Sequence, residues 1–84
     1  MILFENLLNK LLQDKKINVR QHTIVTTLMA TGWEIKLSEL QTKPWYQALY
    51  KKLTNKTRSR DLKSLEAQQL ISVSKEKLLK LLVP

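Results

Sequence analysis

Gly32 is the only glycine in this 84-residue chain, and there is no cysteine. Neither a P-loop nor a dinucleotide-binding loop can be built from it, because both need several glycines for the backbone to approach phosphate closely. The lack of cysteine removes disulfides, thiolate zinc sites and thiol nucleophiles. His22 is the one histidine, too few for a multi-histidine metal site. A Ser-His-Asp group would have to be assembled from His22, the distant Asp61 and a serine that nothing in the sequence brings near them. The chain is therefore expected to be a single unstapled domain with no cofactor, acting as a binder rather than an enzyme. At this length folding buries about 60–65% of the unfolded surface, so stability is marginal or shared with a partner.

Apolar residues make up 43% of the chain and charged residues 26%, the balance of a soluble globular domain rather than a disordered tail. No apolar run approaches the ~18 residues of a membrane span. The opening MILFENLLNK lacks the basic flank and small-residue cleavage site of a signal peptide. The expected location is the cytoplasm, with no membrane partner. The net charge of +8 is unevenly placed: residues 43–63 carry Lys43, Lys51, Lys52, Lys56, Arg58, Arg60 and Lys63 against Asp61 alone, or +6. A localised basic field suits a polyanion, although a lysine-rich face also serves solubility.

Residues 2–14 set Phe4, Leu7, Leu8, Leu11 and Leu12 at helical spacing, flanked by Ile2 and Leu3, and end at the polar connector Asp14-Lys15-Lys16. So rich a stripe must pack against this domain, a second copy or a neighbouring domain. Asn18 then reads as an N-cap with Gln21 as its capping-box partner. The helix that follows carries Val19, Ile24, Leu28 and Met29 and stops at Gly32. His22 lies on it as a surface or packing residue. Residues 33–37 alternate as a short strand, 38–41 form a helical turn, and Pro44 opens another helix. Trp45, Tyr46 and Tyr50 beside Lys51 and Lys52 allow base stacking, but Trp45 as a core residue with the two tyrosine hydroxyls at its rim fits better.

Residues 54–69 carry the most information. Thr54 is an N-cap, and Leu62, Leu65 and Gln69 form one seam, with Arg58 and Asp61 beside it. The opposite face shows Asn55, Lys56, Ser59, Arg60 and Lys63. An apolar back with such a front suits the DNA major groove, where Asn and Arg read base edges and Lys and Ser hold phosphates. The candidate DNA-binding residues are Thr54, Asn55, Lys56, Arg58, Ser59, Arg60 and Lys63.

This segment resembles the recognition helix of bacterial winged helix-turn-helix domains, Ser/Thr-x-x-Thr-x-x-Arg-x-Leu-x-x-Leu-x-x-x-Gly-Leu-Ile. Thr54, Thr57, Arg60, Leu62, Leu65, Leu70 and Ile71 meet that pattern. More narrowly, Thr57-x-x-Arg60-Asp61-Leu62-Lys63-x-Leu65 is similar to a stretch of the C-terminal winged helix of many Fic-family AMP-transferases. Asn18-Val19-Arg20-Gln21 is similar to the Asn-x-Arg-Gln that opens the same domain. The sequence departs from the pattern in three places. Gln69 stands where the family has glycine, Arg58 stands where it has a small or apolar residue, and Lys52-Leu53-Thr54 replaces Gly-Val-Ser before the helix.

The resemblance implies a mainly α fold with a small β-hairpin, a winged helix-turn-helix over residues 17–84, preceded by an N-terminal linker helix over residues 1–16. It places a wing at 70–73 and from 77 onward, with Lys75 and Lys77 near phosphate or the minor groove. Local pattern alone leaves residues 74–82 open between that hairpin and a short capped helix. The resemblance also implies two functions. One is binding of double-stranded DNA. The other is a non-catalytic interaction or dimerisation module of a Fic protein, reached through the N-terminal helix. The Fic catalytic loop itself, His-Pro-Phe-x-Asp/Glu-Gly-Asn-Gly-Arg, is absent from the sequence.

Overall fold

The computed structural model describes residues 2–82, with side chains described from Glu5 onward. In order they form α1 (Ile2–Gln13), α2 (Val19–Thr31), β1 (Glu34–Lys36), α3 (Leu37–Leu40), α4 (Pro44–Leu49), α5 (Asn55–Ala67), β2 (Ile71–Val73) and β3 (Leu78–Leu81). The described chain is mostly helical, with one small antiparallel sheet in the order β1-β3-β2.

The apolar stripe of α1 is used by this domain's own core. Leu8 is fully buried and Leu11 and Leu12 pack half-buried against it, while Leu7 stays 41% exposed. The Ile2, Leu3 and Phe4 side chains of the expected stripe lie outside the described side chains. The helix closes with Lys15 at φ 61°, the Lys16 N–H donating to Leu11 O at 2.8 Å and the Lys15 N–H to Leu12 O at 3.1 Å. That is a Schellman turn made without glycine.

α2 begins on the expected capping box. The Gln21 N–H donates to Asn18 Oδ1 at 2.9 Å and the Asn18 N–H to Gln21 Oε1 at 2.8 Å. Its buried face, however, is Gln21, Ile24, Val25 and Leu28. Val19, expected in the core, is 68% exposed, because it lies two residues before Gln21 and so on the far side of the helix. Gly32 at φ 131° ends the helix, and the Trp33 N–H reaches back to Leu28 O at 2.8 Å.

The aromatic assignment is reversed. Tyr46, within α4, and Tyr50, the residue after it, are 1% and 3% exposed, whereas Trp45 is only half-buried. Their rings stand 5.2 Å apart, with Trp45 edge-on to Tyr46 at 5.9 Å. Tyr50 can enter the core because its hydroxyl donates to the buried Asp61 carboxylate at 2.7 Å, a partner eleven residues away.

The local ambiguity after Ile71 resolves as a hairpin. β2 and β3 pair Ile71 with Leu81 and Val73 with Leu79, and β1 adds Ile35 opposite Leu79 on the other side. Ile71, Leu79 and Leu81 turn inward, and Glu34, Ser72 and Lys80 turn outward. Only the sheet distinguishes this pattern from an amphipathic helix, since β3 is flanked by a strand on each side. The tip is a three-residue loop, 75–77, in which Lys77 takes φ 61°. The Lys77 N–H donates to Ser74 O at 2.9 Å and the Ser74 N–H to Leu78 O at 3.0 Å. This is the αL position where such hairpins prefer glycine.

α5 ends in a second Schellman turn, with the Leu70 N–H donating to Leu65 O at 3.0 Å and Gln69 at φ 61°. A left-handed conformation costs a residue with a Cβ about 1–2 kcal/mol, and part of that returns through glycine's larger unfolded-state entropy. Gln69→Gly should therefore raise stability by about 0.5–1 kcal/mol in urea unfolding, and a loss of stability would refute the strain at this turn. Leu8→Ala should cost about 2–4 kcal/mol if α1 belongs to the same cooperative core. A cost near zero would show α1 to be dispensable.

Candidate nucleic-acid interface

α5 is capped by Thr54, whose Oγ1 accepts from the Thr57 N–H at 3.3 Å, and its first turn holds no acidic residue. The unpaired amides there leave positive potential undiminished. The helix turns Asp61 and Leu65 inward, and Leu62 packs half-buried against the core. Asn55, Lys56, Ser59, Arg60 and Lys63 are all exposed on the opposite side. Lys56, Ser59, Arg60 and Lys63 line one shallow depression. Glu66 is the exposed acid of α5, near its C-terminal end.

The rotation of this face is held by Asp61, which is 5% exposed. Its Oδ2 accepts from Arg20 Nε at 2.8 Å and from the Tyr50 hydroxyl at 2.7 Å. Its Oδ1 accepts from Asn18 Nδ2 at 3.0 Å and more weakly from Arg20 Nη2 at 3.4 Å. Gln21 Nε2 donates to the Asp61 backbone carbonyl at 2.9 Å. Three segments thus meet at one carboxylate: the start of α2, the residue after α4, and the middle of α5. Burial pushes the Asp61 carboxyl up, but the hydrogen bonds from Arg20, Tyr50 and Asn18, with the charge of Arg20, outweigh it and hold the group below the ordinary carboxylate value. The Tyr50 hydroxyl is pushed up by burial and by donating to Asp61. Arg20 is raised by its bond to Asp61.

Arg58 and Arg60 face different ways. The Arg58 guanidinium lies 5.5 Å from the ring centroids of both Tyr46 and Tyr50. Its Nε is buried without a protein hydrogen-bond partner, as is the Tyr46 hydroxyl. Burial pushes that hydroxyl up to about 12, although the Arg58 charge pulls it back. Arg58 therefore packs α5 onto the aromatic pair by cation–π contact and stands apart from the exposed row. Thr57 is half-buried and Thr54 is occupied as a cap. Lys75 and Lys77 are exposed at the hairpin tip and take no part in the α5 depression.

The Asp61 cluster escaped reading from spacing, because Asn18, Arg20 and Gln21 lie some forty residues before Asp61. His22 is half-buried, its Nε2 3.0 Å from Asn9 Oδ1. No group of three or more His, Cys, Asp or Glu side chains able to hold a metal occurs among the described residues, and no described helix is long and apolar enough to cross a membrane.

No protein-family model matches the chain, and no curated protein or solved structure matches it either.

The lowered Asp61 value has a definite sign in linkage. A carboxylate whose folded value lies below its unfolded one stabilises the fold fully above the unfolded value, near pH 4, and loses that contribution as pH falls through the folded value. Asp61→Asn should cost about 2–4 kcal/mol at neutral pH, since Tyr50, Asn18 and the partly exposed Arg20 lose a charged acceptor. In urea unfolding the gap to the parent chain should narrow as pH falls below about 4. A gap independent of pH would exclude the ionised carboxylate as its source.

Proposed function

We propose that this chain is a winged helix-turn-helix module that binds double-stranded DNA by laying the outer face of α5 in the major groove. Several features support the fold part of this reading. From α2 onward the elements run helix, strand, helices, strand, strand, and α4 and α5 are joined by a short turn. The hairpin of β2 and β3 stands where a wing is expected, and β1 completes a three-stranded sheet.

The observation that carries the functional part is the composition of the outer α5 face. Asn55, Lys56, Ser59, Arg60 and Lys63 share it, and the one acid within residues 43–63 is buried and paired with Arg20. Sequestering Asp61 leaves the local excess of positive charge unopposed at the surface. A 13-residue helix is about 20 Å long and fits a groove about 12 Å wide. In this arrangement Asn55 and Arg60 reach base edges, while Lys56, Ser59 and Lys63 hold phosphates. Arg58 is assigned to holding α5 on the tyrosines instead. The burial of Leu8 ties α1 to this domain's own core, while Leu7 on the same helix stays exposed.

The test is fluorescence anisotropy on a mixed-sequence duplex. With Lys56 and Lys63 each neutralising a phosphate, affinity should fall roughly 10-fold between about 50 and 200 mM salt. Lys56→Glu, Arg60→Glu and Lys63→Glu together should abolish measurable binding while leaving thermal unfolding nearly unchanged, because all three side chains are exposed. Undiminished binding by a folded triple variant would sink the proposal.

A further inference from the structure

A second groove, of about 470 Å³, lies against α5 on its α2 side, lined by residues of the α1–α2 connector, the start of α2 and α5 itself. Its basic side chains are Lys15, Lys16 and Arg60. Arg60 also lines the α5 depression, so the two concavities share one wall. Leu12, Ile17 and Val19 form its apolar walls. Basic groups over low-dielectric walls focus potential outward.

The acid that borders this groove is Asp61, whose charge is taken up by Arg20 at 2.8 Å. Asp14, next to Lys15 in sequence, is exposed and does not line it. Lys15 and Lys16 have no ion-pair partner among the described residues. They are also held in place. The Schellman turn fixes their backbone, and Gln68 Nε2, on the residue closing α5, donates to Lys16 O at 2.6 Å and stands 3.5 Å from Ser64 Oγ. The backbone of the connector is thereby tied to the helix whose outer face is the candidate DNA surface, and it carries two exposed lysines beside that helix.

We infer that Lys15 and Lys16 form a phosphate clamp that continues the α5 surface through Arg60 and grips the DNA backbone beside the groove that α5 occupies. The inference rests on the reading of α5 as a DNA-binding face. Contacts of this kind position a protein on the duplex without reading sequence, so they contribute affinity and salt dependence uniformly.

The experiment compares the full chain with Lys15→Gln/Lys16→Gln and with Lys10→Gln/Lys36→Gln, which removes the same charge from exposed lysines outside both grooves. Anisotropy titrations on two unrelated duplexes, each over a salt series, give affinity and salt slope. The clamp variant should lose about 10-fold in affinity on both duplexes, and its slope should fall by nearly two, about 0.9 for each phosphate no longer neutralised. The control pair should change little. Equal behaviour of the two variants would overturn the clamp while leaving α5 binding intact. Absence of duplex binding by the parent chain would overturn both readings. Thermal unfolding of each variant separates weakened binding from damage to the fold.

Discussion

Asp61 accepts hydrogen bonds from Arg20, Tyr50 and Asn18 at the junction of three helical segments, and the orientation of α5 depends on that junction. A carboxylate is a costly group to bury in a small domain, since removing it from water takes several kcal/mol unless its lone pairs are well occupied. Here both oxygens are, and Arg20 remains 31% exposed, so the pair keeps partial contact with solvent. Apolar packing alone tolerates rotation and sliding of helices. A set of directed bonds to one carboxylate does not. Asp61 thereby fixes which side of α5 faces the core and, by exclusion, which residues face outward.

A second constraint follows from the scarcity of glycine. Among the described residues Lys15, Trp33, Gln69 and Lys77 also adopt positive φ. Lys15 and Gln69 close Schellman turns and Lys77 closes the hairpin, and each has a long polar side chain left in solvent. The fold accepts a small conformational cost at each turn because tertiary contacts over-determine it. Leu70, just past Gln69, is buried with Leu65, and Leu79, two residues beyond Lys77, is the central residue of the sheet. Turn geometry in this chain is imposed by what the flanking residues bury rather than by the turn residues themselves.

That distinction explains which features were legible in the amino-acid order. The Asn18–Gln21 capping box, the Thr54 cap, the stop at Gly32 and the helical start at Pro44 are decided within four residues, and each occurs where its local chemistry places it. The burial of Tyr50 was not legible, because its hydroxyl is satisfied by a residue on another helix. Val19 was misplaced for a related reason. An apolar residue at a helix start reads as core unless the face is already known, and here a glutamine bonded to the Asp61 carbonyl occupies that face. Residues 74–82 were undecidable locally, since only pairing with β1 and β2 separates strand from amphipathic helix. The exposed row on α5 was readable from periodicity, whereas the role of Arg58 needed the positions of the tyrosine rings.

The contrast between Arg58 and Arg60 shows how one helix can be basic throughout yet divide its charges between two tasks. Two residues apart, they differ by about 200° around the helix axis. Arg58 directs its charge at aromatic faces within the domain, where it is half-buried. Arg60 keeps its charge in solvent at the meeting point of two grooves. Net charge over residues 43–63 therefore overstates what a polyanion can reach by counting Arg58, and understates it by subtracting Asp61. Correcting for both leaves the total unchanged but alters its distribution. The exposed row of α5 carries Lys56, Arg60 and Lys63, and Arg60 connects it to a groove bordered by Lys15 and Lys16, which lie outside the basic segment. A charge count along the sequence cannot show this continuity, since it arises only where the turn after α1 is tied to the end of α5.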